Sequence, residues 1–196
     1  MTAALLLAFS QVSGAAYSDV LVAKARQGDA HALYELAECY TNGDGVEMDD
    51  NEAAKWYRLA VEQLGKLADA GEAEAQYKLA CCYHFGYGVN EDQPMAAVWY
   101  YKAAEQGHAE AQFELAYCYY GGHGVAEDDA EAVKWWRKAA TQGHAIAQWC
   151  LGDCYENGEG VKKDKREAAK WKSKSGFPAN SDVEIRKATA KSGGAL

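Results

Sequence analysis

Two prolines in 196 residues leave most of the chain without the residue that deletes a helical hydrogen bond and clashes with the preceding turn. No apolar run reaches the roughly 20 residues that a bilayer-spanning helix needs. Positive charge is scarce too: 20 Lys and Arg stand against 29 Asp and Glu, a formal net charge of −9. Nucleic-acid binding needs a basic stripe to neutralise phosphates, so that class of partner is argued against. No Lys or Arg precedes Lys24, and the apolar start Leu5-Leu6-Leu7-Ala8-Phe9 therefore lacks the positive flank of a secretory signal. The small residues Gly14, Ala15 and Ala16 still suit a cleavage region. Residues 1–17 read either as a signal peptide, with a periplasmic or secreted protein the preferred reading, or as an apolar N-terminal helix of a cytoplasmic one.

The charge is unevenly placed. Residues 161–196 hold ten Lys and Arg against four Asp and Glu, while residues 1–160 hold ten against twenty-five. The basic end is either a solvated face or a docking site for an acidic surface. Hydrophobic residues make up 49% and aromatics 12%, which excludes a disordered chain. The abundant alanine favours helices.

Lined up with itself, the chain repeats from Gly28, Gly71, Gly107 and Gly143. The period is 36 residues, with seven extra in the first copy. Ala73-Glu74-Ala75-Gln76-Tyr77-Lys78-Leu79, Ala109-Glu110-Ala111-Gln112-Phe113-Glu114-Leu115 and Ala145-Ile146-Ala147-Gln148-Trp149-Cys150-Leu151 begin three copies. Ala30-His31-Ala32-Leu33-Tyr34-Glu35-Leu36 begins the degenerate first one. Small, aromatic and Leu residues at helical spacing predict a helix, A, running to Tyr40, Tyr83, Tyr119 and Tyr155. Gly43-Asp44-Gly45, Gly86-Tyr87-Gly88, Gly122-His123-Gly124 and Gly158-Glu159-Gly160 then stop it. The first Gly suits a left-handed C′ residue. These loops follow helices, lack a third Gly at dinucleotide spacing and lack a Gly-Lys-Ser/Thr, so they are turns rather than phosphate cradles.

A second helix, B, starts at Asp49, Asp92, Asp128 and Asp164, with Glu52, Glu131 and Glu167 completing three capping boxes and Pro94 in a first turn. Ala53, Ala96, Ala132 and Ala168 allow close helix approach, and Trp56, Trp99, Trp135 and Trp171 fill the space between layers. The extra residues 61–67 are nearly two turns and lengthen helix B with its buried face kept within about 20°. One such helix pair cannot bury its own apolar stripe, so the pairs must stack. The divisions are a capping half repeat at 18–27, repeats at 28–70, 71–106, 107–142 and 143–176, and a cap and tail at 177–196. Ser181-Asp182-Val183-Glu184 offers a box for a short last helix.

The recurring Ala-x-Ala-x-x-x-Leu, Tyr, Gly-x-Gly-Val, Asp, Ala, Trp and Ala-Ala pattern, with Trp135-Trp136-Arg137-Lys138 and Ala139-Ala140-Thr141-Gln142-Gly143 as close matches, resembles the Sel1-like repeat over roughly residues 20–176. The Sel1-like repeat is a relative of the tetratricopeptide repeat. The resemblance implies an all-α, right-handed α/α superhelical solenoid with A helices along a concave face. It also implies an adaptor that binds a protein or peptide. The alternative function is an envelope inhibitor that neutralises a toxic effector.

Residues with chemical potential are absorbed by the repeat. Cys39, Cys82, Cys118 and Cys154 share one position, and equivalent residues on stacked helices lie roughly 8–10 Å apart, beyond the reach of a disulfide. They read as small buried hydrophobes. Cys81 and Cys150 fall outside that column and are the thiols most prone to oxidise in an exported protein. Cys81-Cys82-Tyr83-His84 has no second half to make a metal site. His108 and His144 read as surface residues. No catalytic residue, cofactor or metal is expected; a thiol redox or metal protein is the least favoured alternative.

Function is sought where the repeats disagree. On helix A the varying positions are His31, Glu35 and Glu38; Glu74, Lys78 and Cys81; Glu110, Glu114 and Tyr117; and Ile146, Cys150 and Asp153. Within each helix they fall at i, i+4 and i+7, one stripe. Stacked, they predict an acidic channel with Tyr117, Tyr120 and His84 as anchors. The expected partner-binding set is Glu35, Glu38, Lys78, His84, Glu114, Tyr117, Tyr120 and Asp153, suited to a basic protein or peptide.

Overall fold

The structure is a computed structural model that describes residues 16–178. The signal-like residues 1–15 and the helix expected from Ser181 onward lie outside the described residues. Nine α-helices and no strand occur among the described residues: α1 Asp19–Arg26, α2 Ala30–Asn42, α3 Asp50–Asp69, α4 Ala73–Phe85, α5 Gln93–Glu105, α6 Ala109–Gly121, α7 Asp129–Thr141, α8 Ala145–Asn157 and α9 Lys165–Ser175. None of the nine is long and apolar enough to cross a membrane. The chain is an all-α repeat fold of two compact units, divided between Glu91 and Asp92.

In the first unit α1 packs on α2, α2 on α3 and α3 on α4. The extra seven residues continue α3 to 20 residues without a break, burying Ala60, Leu64 and Ala68 on one face. In the second unit α5 to α9 pack each on the next, around Tyr100, Leu115, Trp136 and Leu151. Trp99, Trp135 and Trp171 are all buried, and the Lys three residues after each covers its ring: Lys102 at 3.7 Å, Lys138 at 3.5 Å and Lys174 at 4.5 Å. Position 59, equivalent to these lysines in the first repeat, is an exposed Leu.

The paired glycines have two different reasons. Gly43, Gly86, Gly122 and Gly158 end their helices in the left-handed conformation, as helix C-caps commonly do. The second glycines face backbone. A Cβ on Gly88 would stand 2.6 Å from the carbonyl carbon of Tyr57, and one on Gly124 or Gly160 would clash with the Gln93 or Asp129 carbonyl. These three loops thus seat on the helix B of the preceding repeat, while Gly45 lies against Tyr17.

The B-helix caps form as expected, with Asp49, Asp92, Asp128 and Asp164 accepting first-turn amides. The capping boxes do not close as expected. The N–H of Asp49, Asp128 and Asp164 donates to the carbonyl of Tyr40, Tyr119 and Tyr155, so Glu52, Glu131 and Glu167 have no amide left to accept. They pair instead with Lys55, Lys134 and Lys170 three residues on. A further recurring position is a buried glutamine. Gln76, Gln112 and Gln148 donate Nε2 to the carbonyls of Ala68, Ala104 and Ala140, each at 3.0 Å. This ties helix A to the end of the helix before it.

Candidate functional site

In the first unit, Glu35 and Glu38 lie one turn apart on α2 and Lys78 lies on α4. The Lys78 ammonium sits 3.3 Å from Glu35 Oε1 and 3.4 Å from Glu74 Oε1, and 5.4 Å from the centre of the Tyr34 ring. Lys78 is only 8% exposed. Burial pushes the Glu38 carboxyl up to about 7, against the opposing pull of Lys78 and of a Tyr34 hydrogen bond. Cys81 and His84 are buried as well, and the His84 ring meets Phe85 edge-on at 4.5 Å. The expectation that Lys78 and His84 line an open channel is therefore corrected. Helical periodicity says which side a residue takes, not how far neighbouring helices cover that side. Here Lys78 is buried among the acids of the varying stripe, while His31, Glu35 and Glu38 keep partial exposure and Glu74 is exposed.

In the second unit the equivalent stripe is differently furnished. Glu114 on α6 is half-buried, and burial alone pushes its carboxyl up to about 8. Where Glu35 has Lys78, Glu114 has no ion pair or side-chain hydrogen bond among the described residues. One turn on, the half-buried Tyr117 ring stacks on His123 from the Gly-His-Gly loop, at 5.5 Å and 17°. Cys150 of α8, the Glu114 equivalent of the next repeat, is also half-buried and lies close enough to act on the Tyr117 hydroxyl, as Glu114 does. Tyr120 is exposed, its ring 5.3 Å from Trp136 and its hydroxyl donating to Glu159 at 3.3 Å. Glu114, Tyr117, His123 and Cys150 thus form one partly open patch. Nothing in the spacing singled out His123; its signal was a ring inside a turn that needs only glycines.

Asp153 belongs elsewhere. Its carboxylate is 3.2 Å from Lys172 of α9, which also reaches Glu156 at 2.6 Å and lies over Trp149 at 4.8 Å. Beside this ion triad is a cavity of about 490 Å³ walled by Trp149, Glu156, Lys165, Ala169, Lys172 and Phe177.

A family model described as the Sel1 repeat matches residues 30–63, 73–108, 109–144 and 145–175. The chain belongs to the Sel1 repeat family. Two crystal structures of Sel1 repeat proteins are similar over most of its length. One, from Oxalobacter formigenes, is 31% identical with a TM-score of 0.66, covering 87% of this chain and 64% of that one. The other is c5321, a protective antigen of uropathogenic Escherichia coli strains, at 31% identity and a TM-score of 0.60, covering 88% of this chain and 43% of that one. The chain therefore spans less than two thirds of either. A search of curated proteins gives no match. Sel1 repeats generally mediate protein–protein interaction and generally act as non-enzymatic scaffolds.

The remaining reactive side chains of these Sel1 repeats serve the architecture. Cys39, Cys82, Cys118 and Cys154 are buried, and burial pushes the Cys118 thiol up to about 12, far from a reactive thiolate. His108 and His144 are not plain surface residues. Their Nδ1 atoms accept the Ala111 and Ala147 amides at 3.2 and 3.1 Å, capping α6 and α8. Burial lowers the His144 pKa, which keeps the ring neutral and able to accept. No group of three His, Cys, Asp or Glu side chains suited to a metal ion occurs among the described residues.

Proposed function

We propose that this protein binds a partner protein or peptide through the face of α6 and α8 that carries Glu114 and Tyr117, with Glu114 receiving a cationic side chain and Tyr117 providing the aromatic contact. The observation that carries this reading is the state of Glu114. A carboxyl desolvated without a counter-ion is costly to ionise, and an incoming Lys or Arg lowers that cost while gaining a charge-assisted hydrogen bond. Tyr117, fixed against His123, supplies a large rigid surface of the kind that dominates binding interfaces. The first unit is less suited, because Lys78 already sits among its acids, paired with Glu35 and Glu74. The partner is therefore a basic segment, and the protein is a scaffold rather than an enzyme.

The test is partner capture by the wild-type chain and by Tyr117→Ala combined with Glu114→Lys, with circular dichroism as the folding control. Loss of the partner by a folded double variant is the expected result, with recovery from wild type falling as salt rises. Undiminished capture by the folded variant would overturn the assignment. Export to the periplasm or beyond is proposed from residues 1–17; sequencing the mature N-terminus checks it.

A further inference from the structure

One position runs through the B helices as a buried aromatic: Tyr57, Tyr100 and Trp136 are each at most 3% exposed. In α9 the same position is Lys172. Its neighbour one turn N-terminal changes in step, from buried Ala97 and Val133 to exposed Ala169. Trp136 of α7 meets Tyr120 of α6. The residues equivalent to that pair in the fourth repeat are Lys172 and Glu156, and they form an ion pair instead. Where the other B helices bury an aromatic, the slender Lys172 and the exposed Ala169 border a groove along α9, lined also by Ala168, Trp149 and Phe177, the last two with rings edge-on at 6.1 Å. Its volume of about 490 Å³ falls within the roughly 300–1,000 Å³ of ligand clefts.

We propose that this groove is a second docking surface, which takes an acidic peptide segment through an apolar side chain seated on Ala169 between Trp149 and Phe177, and through carboxylates that pair with the cations around it. The charge argument is local. Residues 161–178 hold Lys162, Lys163, Lys165, Arg166, Lys170, Lys172 and Lys174 against Asp164 and Glu167, and Lys162, Lys163, Lys165 and Arg166 are exposed. Lys172 is already committed to Asp153 and Glu156, so Lys165, on the groove wall, is the cation that would meet the ligand. The chain's own residues 179–196 are a poorer complement, with three basic and two acidic side chains. This surface is opposite in charge to the Glu114 patch and does not depend on it.

The experiment measures fluorescence anisotropy of a labelled peptide of about twelve residues, rich in Glu with a central Leu-Phe pair, against a control in which every Glu is Lys. The full-length protein should bind the acidic peptide and not the control through this groove. Ala169→Trp, which fills the groove at an exposed position, and Lys165→Glu, which reverses its wall charge, should each weaken binding at least about tenfold, near 1.4 kcal/mol. Glu114→Lys should leave it unchanged. Equal binding to wild type, Ala169→Trp and Lys165→Glu would overturn the proposal, as would no binding by any of them. If only a full-length Val183→Asp, Ile185→Asp variant binds, the chain's own C-terminal residues hold the groove, and the assignment to a partner fails.

Discussion

The backbone of Gly88 lies directly against the carbonyl of Tyr57, so close that a Cβ at residue 88 would stand 2.6 Å from the carbonyl carbon and 2.8 Å from its oxygen. Tyr87 adds its ring to the same contact, stacked on Tyr57 at 4.5 Å and 11°. The loop therefore docks on the preceding repeat by backbone approach and ring stacking together. Gly71 is a useful contrast, since it also has a positive φ, 97°, but nothing within 4 Å of a built Cβ. Gly71→Ala should cost about 1–2 kcal/mol from the left-handed backbone alone. Gly88→Ala should cost about 3 kcal/mol or more, because the clash adds to that strain. Urea denaturation of both variants checks the order.

The buried glutamines predict a smaller, more distributed effect. Gln112 donates to the Ala104 carbonyl and accepts from Gln142 at 2.8 Å. Gln112→Leu leaves the carbonyl with only its Gly107 amide, while the exposed Gln142 amide keeps its bond to the Gly107 carbonyl at 2.9 Å. A loss of about 1–2 kcal/mol is expected. Gln142→Ala, which removes an exposed donor, should cost less. Comparing the two by urea midpoint tests whether the interior bond, rather than the surface one, ties helix A to its predecessor.

What the sequence made legible was whatever obeys a local rule. Gly86 at a helix end, Asp128 at a helix start and Trp135 between layers each follow from spacing and residue type, and each stands where expected. The failures share a cause. Glu131 fits a capping box locally, yet its target amide is already taken by the Tyr119 carbonyl across the loop. Lys78 and His84 sit on the correct side of α4 but are buried. Gln112 recurs as plainly as any residue, but its role needs a carbonyl eight positions back, across a turn. His144 caps its helix with a ring nitrogen, which the usual list of capping residues does not include.

Glu114 gives a pH prediction with a definite sign. Burial raises its folded pKa to about 8 from the ordinary glutamate value of 4.5, so between those values the native state holds a proton that the unfolded state has released. Stability contributed by this group then falls as pH rises from 4.5 to 8, by at most about 1.4 kcal/mol per pH unit for one proton. Glu114→Gln cannot ionise and removes that slope. The variant should match wild type near pH 4 and exceed it in stability at pH 9. Urea midpoints at the two pH values read the difference, and an unchanged gap would mean that Tyr117, Cys118 and Cys150 around the carboxyl do not desolvate it. A basic peptide on the patch should reduce the slope, because a cation restores the charged form.

The six cysteines should separate by burial rather than by sequence. Cys39, Cys81, Cys82, Cys118 and Cys154 are buried, whereas Cys150 is half-exposed in the Glu114 patch. Thiol reactions proceed through an accessible thiolate, and burial pushes the Cys82, Cys118 and Cys154 thiols up, away from that form. In native protein a thiol reagent should therefore modify Cys150 first, at least about tenfold faster than the rest, with the others reacting only as the fold opens. Cys150→Ala should abolish the fast phase while leaving the slow one. Labelling with an excess of reagent, followed by mass spectrometry, identifies the site. A basic peptide seated on Glu114 should slow the fast phase in wild type, which makes this thiol a built-in reporter of occupancy at the proposed binding face.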